Sequence, residues 1–144
     1  MGEKLADRTV EVILSNQIGY ERVAMACSAS FAKMYGCPPE RIEDLKTVVA
    51  EAALNAMQHG NKGRPEARVV VIMNYKDKAI NVSVLDEGDG ITRLPPTPDI
   101  ERIIKELDPP MGLGIFLIDQ LADKVEFNQI TDKGHAVRVA ININ

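Results

Sequence analysis

The chain contains no tryptophan, and only three tyrosines and three phenylalanines stand among its 144 residues. A hydrophobic core must therefore rest on Val, Ile, Leu, Ala and Met. Cysteine is equally scarce. Cys27 and Cys37 lie ten positions apart with no Cys/His cluster around them, which excludes a disulfide framework and reads as two reduced thiols in a cytoplasmic protein. Basic charge is in deficit: 17 Lys and Arg against 21 Asp and Glu leave a net charge of −4. That argues against a general nucleic-acid binder, which would carry a basic face. No apolar run approaches the roughly 20 residues of a membrane span, and no secretory apolar segment is expected. Internal repeats and low-complexity segments are absent too.

What remains is ordinary for a globular protein, 45% hydrophobic and 26% charged. A chain of this length buries roughly 68–70% of its unfolded surface and needs no disulfide or metal staple. Residues 1–144 are expected to form one domain.

Arg8 to Leu14 reads as a first strand. Ser15 and Asn16 are good helix N-caps, and a helix is expected from there to about Tyr35. Its apolar stripe would be Tyr20, Val23, Cys27, Phe31 and Met34, and Gly36 would end it. Pro38 and Pro39 open a second helix, where proline loses no hydrogen bond. Its buried stripe is Leu45, Val48, Val49, Ala52 and Ala56. A second, polar stripe follows at steps of three and four: Asp44, Thr47, Glu51, Asn55 and Gln58. Gly60 stops the helix.

After a turn at Lys62 to Pro65, Ala67 to Tyr75 and Lys78 to Asp86 read as a hairpin closed by Lys76-Asp77. Thr92 to Pro110 is a proline-rich loop with a short helix over Ile100 to Leu107. Gly112 and Gly114 lead into a helix over Ile115 to Ala122. Lys124 to Ile130 and His135 to Ile143 form a closing hairpin, with Val137, Val139, Ile141 and Ile143 on one face. Paired strands with helices between the pairs predict a mixed, mostly antiparallel sheet with helices on one face, a two-layer α/β sandwich.

The chemistry concentrates at three places. Glu51 and Asn55 lie four residues apart on a helix and so leave one face, one turn apart. Asn55 offers a neutral oxygen suited to Mg²⁺, and Glu51 can accept the proton of an attacking hydroxyl. Asp86 ends an apolar strand ahead of Gly88 and Gly90, where the backbone can turn sharply and come close to a ligand. Gly112, Leu113 and Gly114 open a helix whose free amides attract phosphate oxygens. His59 has no second His or Cys placed to share a metal and reads as a capping or packing residue. Met25, Met34, Met57 and Met73 read as core fillers.

In this order, Glu51…Asn55, Asp86-x-Gly88-x-Gly90 and Gly112-x-Gly114 resemble the three ATP-site boxes of the Bergerat-fold ATPases. The short length, the Glu51–Asn61 segment and the run Met111 to Ile118 look most like anti-sigma-factor serine/threonine kinases. The resemblance implies ATP and Mg²⁺ as cofactors. It makes Glu51 the catalytic base for a protein hydroxyl, sets Asp86 on the adenine amino group and places the ATP lid in the proline-rich segment. It implies a sigma factor and an anti-sigma-factor antagonist as partners, a homodimer, and neither nucleic acid nor membrane as a direct partner. The alternatives are the ATP-binding module of a histidine kinase and a non-catalytic ATP-dependent binding module. One departure stands out. The superfamily often places Gly-Thr before its last strand, where the hydroxyl helps water-bridge the adenine; here the pair is Gly134-His135.

Overall fold

The computed structural model describes residues 8–88, 110–129 and 134–143. Gly90, and with it the proline-rich segment and its short helix, lies outside them. Five strands form one sheet in the order β1-β2-β3-β5-β4. They are β1 (Thr9–Ser15), β2 (Arg68–Lys76), β3 (Ala79–Leu85), β4 (Lys124–Gln129) and β5 (His135–Asn142). Every described pairing is antiparallel, so the sheet is simpler than the mixed one expected. The helices are α1 (Glu21–Met34), α2 (Pro39–Asn55) and α3 (Pro110–Leu121). α2 packs between α1 and α3. The two-layer sandwich is as expected.

Alternation along the strands selects the buried face. Val69, Val71 and Met73 of β2, Ile80, Val82 and Val84 of β3, and Val139 and Ile141 of β5 are buried, one side of a period-two pleat. They meet Leu45, Val48, Val49 and Ala52 of α2, the stripe that the sequence predicted. Each large side chain buried there contributes about 1.5–3 kcal/mol. The β2–β3 turn is Asp77-Lys78, one residue beyond the expected pair. Both residues have positive φ, 55° and 58°, the geometry that matches strand twist in a two-residue hairpin. Three of the six aromatic rings gather at that end of the sheet. Tyr35 stacks on Tyr75 at 4.4 Å, and Phe31 meets Tyr35 edge-on at 5.1 Å.

α1 departs from expectation at its start and on its face. It begins at Glu21, not after Asn16. Glu21 reaches back, its Oε1 accepting from the Gly19 amide at 2.5 Å. The buried positions are Glu21, Ala24, Ser28, Phe31 and Ala32, whereas Tyr20, Val23 and Met34 are exposed, Met34 by 74%. Ala24, Ser28 and Ala32 let α1 approach α2 closely, Phe31 of the expected stripe also turns inward, and Val23 and Met34 turn outward. Its end is as expected. Gly36 at φ 79° closes the helix, with its amide on the Lys33 carbonyl and the Cys37 amide on the Ala32 carbonyl, both bonds of a Schellman cap. Met57 and Met73 fill the core.

Candidate active site

The site forms where α2 ends. After Asn55 the chain widens into one π-helical turn, Ala56–Gly60, closed by the Asn61 amide donating to the Ala56 carbonyl at 2.7 Å. Such turns often mark functional positions. This one delivers Gly60 against Asp86 at the end of β3. A Cβ on Gly60 would collide with the Asp86 carboxylate, and one on Gly88 would overlap the Gly60 carbonyl. The two glycines are thus interlocked: Asp86 sits in the space that Gly60 leaves, and Gly88 lies on the Gly60 backbone. Asp86 is itself oriented. Its Oδ1 accepts from the Gly88 amide at 3.0 Å, and its own amide donates to the His135 carbonyl of β5 at 2.9 Å. Burial raises the Asp86 carboxyl above its ordinary range, while the Gly88 hydrogen bond and the nearby His135 and Arg64 pull the other way.

A buried amide network fixes this corner. Asn61 is fully buried. Its Nδ2 donates to Asn16 Oδ1 at 3.2 Å and to the Arg68 carbonyl at 2.9 Å. Its Oδ1 accepts from the Glu87 amide at 2.7 Å. Asn16 in turn donates to the Met57 and Arg64 carbonyls at 3.3 and 2.9 Å. The residue expected to cap α1 is instead recruited to the π-turn, where its Nδ2 adds a second donor to two carbonyls that also accept from the Gly63 and Ala67 amides. Glu87 returns across the turn to Arg68, Oε1 to Nε at 3.1 Å.

At the other end, Glu51 and Asn55 do share a face, and α3 lies against it. A Cβ on Gly114 would stand 2.8 Å from Glu51 Oε2 and 3.2 Å from Asn55 Nδ2. Only glycine lets the helix come so near. Asn55 is 6% exposed, and its Nδ2 has no hydrogen-bond partner. Burial raises the Glu51 carboxyl above its ordinary value of 4.5. Asn55 also lines a small cavity with Gly60, Val84, Asp86 and His135, so one cleft joins the two ends.

The structure therefore brings together Glu51, Asn55, Asp86, Gly88 and Gly114. Gly90 lies outside the described residues. Gly112 and Leu113 stand inside α3, which starts at Pro110; the glycines are its first turns, not a loop ahead of it. The residue spacing alone missed Gly60, Asn61 and Asn16, and flagged His135 only as a departure. His59 is exposed, in the π-helical turn. No cluster of three metal-ligating side chains occurs among the described residues. A larger hollow of about 470 Å³ opens on the outer sheet face, lined by Asn74, Lys76, Lys124, Glu126 and Arg138 among others, and none of the expected site residues reaches it. No described helix is long and apolar enough to cross a membrane.

Comparison with known proteins identifies the fold and the family. The anti-sigma F factor of Bacillus subtilis is 26% identical over 91% of this chain and 88% of its own. That of Oceanobacillus iheyensis is 28% identical over 86% and 83%. Among solved structures, a chain of the SiaB–SiaC complex of Pseudomonas aeruginosa superposes with a TM-score of 0.68 at 15% identity, covering 93% of this chain and 90% of that one. A chain of the RsbU and RsbW domains from Mycobacterium tuberculosis gives 0.67 at 16% identity; the match spans 94% of this chain and about a third, 32%, of that longer one. These structures share the fold. The family model described as histidine kinase-like ATPase domain matches residues 14–141, from the last residues of β1 to the end of β5. With the model covering that span, the chain belongs to the histidine kinase-like ATPase domain family, an assignment that carries ATP binding with it.

Proposed function

We propose that this protein is an ATP- and Mg²⁺-dependent protein serine/threonine kinase, acting as an anti-sigma factor in a partner-switching pathway and phosphorylating an anti-sigma-factor antagonist. The observation that carries the reading is the contact of Gly114 with both Glu51 and Asn55, in the cleft that Asp86 closes. The residues fit Mg-ATP. Asn55 keeps a buried Nδ2 with no hydrogen-bond partner, a donor suited to a phosphate oxygen, Asp86 faces a hollow, and the first turns of α3 meet the cleft with glycine.

Bound Mg-ATP supplies the γ-phosphoryl group; positioning and charge fall to the chain, as in phosphoryl transfer generally. Asn55 holds Mg²⁺ through its amide oxygen. Glu51 accepts the proton of the acceptor hydroxyl, and its partial burial makes its carboxylate a stronger base. Gly112, Leu113 and Gly114, in the first turns of α3, would line the phosphate side, with the positive end of the helix toward the phosphates. Asp86 accepts from the adenine amino group. The partners we propose, a sigma factor and its antagonist, are supported by the anti-sigma F factors among the relatives. A single domain, a cytoplasmic setting and a homodimer complete the reading. Val10, Ile13, Ile18 and Val23, exposed on the β1 and α1 flank, offer apolar surface for protein contact.

The test is capture from the protein's own cells with Mg-ATP, followed by mass spectrometry and phosphosite mapping. A phosphoserine or phosphothreonine on a small captured protein, beside a sigma factor, is expected. A phosphohistidine would replace this reading with the histidine-kinase module. With the acceptor in hand, Glu51→Ala should bind Mg-ATP normally and lose about 100-fold or more in transfer, and Asn55→Ala should lose Mg-ATP binding. Normal transfer by Glu51→Ala would remove the base assignment.

A further inference from the structure

At the Asp86 end one buried side chain has no partner for either of its polar atoms. His135 opens β5, is 4% exposed, and neither Nδ1 nor Nε2 makes a hydrogen bond. A buried polar group left unpaired costs about 1–3 kcal/mol, so an imidazole with both nitrogens idle calls for a ligand. The ring lines the same cavity as Asn55, Gly60 and Asp86, with Val84 and Val137 as apolar walls. The room there is about 10 Å³, enough for one water or one amino group. The hydrogen bond from the Asp86 amide to the His135 carbonyl fixes the two residues side by side.

The two side chains differ in hydrogen-bonding sense. An ionised Asp86 only accepts; a neutral imidazole has one N–H to donate. Together they present an acceptor next to a donor. The edge of a 6-aminopurine presents the complement, an exocyclic amine that donates beside a ring nitrogen, N1, that accepts. We propose that His135 reads the base directly: its ring N–H donates to N1 while Asp86 accepts from the 6-amino group seated in the small cavity. A 6-oxopurine reverses both groups. It would set a carbonyl oxygen against the Asp86 carboxylate and an N–H against the His135 N–H. His135 is then a specificity residue for adenine over guanine nucleotides. This rests on the ATP-site reading above.

Calorimetry with ATP, GTP and 1-deaza-ATP, which replaces N1 by C–H, separates the contributions. The wild type should bind ATP about tenfold more tightly than 1-deaza-ATP, the value of one hydrogen bond. In His135→Ala that ratio should fall to about one, and the preference for ATP over GTP should shrink with it. His135→Gln, which keeps an N–H of similar reach, should retain part of both, and it carries the test if the alanine variant does not fold by thermal melting. If the substituted protein binds ATP and keeps the wild-type ratio of ATP to 1-deaza-ATP, His135 does not touch N1 and the inference is overturned. If the wild type binds no nucleotide at all, the ATP-site reading has failed and takes this inference with it.

Discussion

The two ends of the cleft are built on opposite plans. At the Asp86 end the backbone is interlocked. Gly88 lies on Gly60, Asp86 is bonded to Gly88 and β5, and Asn61 ties Glu87 to Asn16 and Arg68. At the Glu51 end no side-chain hydrogen bond or ion pair among the described residues ties Glu51, and Asn55 Nδ2 has no partner. A carboxylate whose pKa burial has raised and an amide with an idle Nδ2 face a glycine on the neighbouring helix. One end is preorganised by internal hydrogen bonds; the other keeps its polar atoms unspent. A ligand that supplies cations and phosphate oxygens would complete the second while leaving the first as it stands. Substitutions should therefore damage stability at the Asp86 end and chemistry at the Glu51 end.

The largest effect is expected at Gly88. A Cβ there overlaps the Gly60 carbonyl, and backbone on both sides must move. Gly88→Ala should lose about 3 kcal/mol in denaturant melts. Gly60→Ala meets a side chain instead, Asp86, which can rotate away. It should cost about 1–2 kcal/mol, and part of that should return in Gly60→Ala with Asp86→Ala. Equal losses for both glycines, with no rescue, would break the claim that the interlock is backbone against backbone at Gly88 and backbone against carboxylate at Gly60.

Next comes Asn61. Its removal leaves the Glu87 amide, the Arg68 carbonyl and Asn16 Oδ1 without partners. Asn61→Ala should lose about 2 kcal/mol, and Asn16→Ala together with it should lose less than the sum of the singles, because the two share a network. Additive losses would mean that the amides act independently and that this corner is not one unit.

These two sets of residues also mark what the sequence can and cannot reveal. The Glu51–Asn55 pair was legible because helical geometry turns a spacing of four into a shared face. The α2 stripe and both hairpins were legible for the same local reason. Asn61 and Asn16 were not, since their bond joins positions 45 residues apart and leaves no periodic trace; locally Asn16 looks like a cap. The face of α1 was misread because size was taken for burial. Where two helices approach closely, Ala24, Ser28 and Ala32 go inward and Val23 and Met34 go out. His135 drew notice only as a substitution for an expected threonine, and its isolation became visible only once β5 was placed beside Asp86.

At the Glu51 end, Gly114→Ala should change stability little. The nearest atom is Glu51 Oε2 at 2.8 Å, the tip of a flexible chain, and alanine gains up to about 1 kcal/mol in a helix over glycine. Net change should stay within roughly 1 kcal/mol, while phosphoryl transfer falls as Glu51 is pushed aside. Loss of stability comparable to Gly88→Ala would place this end in the interlocked class and erase the contrast.

The smallest effect is the most diagnostic. Burial holds the folded-state pKa of Glu51 above 4.5, so the native protein binds this proton more tightly than the unfolded chain. Stability from this group is then complete below pH 4.5 and falls as pH rises through the folded pKa, after which it stays flat. Glu51→Gln removes the ionised form and keeps the shape. At pH 7 the variant should melt roughly 1–3 °C higher than the wild type, and the gain should disappear below pH 4.5. A variant at once more stable and defective in transfer is what an end reserved for chemistry requires, because a group kept partly out of water for its basicity costs the fold something whenever it is charged. A variant that melts lower at pH 7 would mean that the Glu51 carboxylate is held by internal partners after all, and the two ends of the cleft would be built alike.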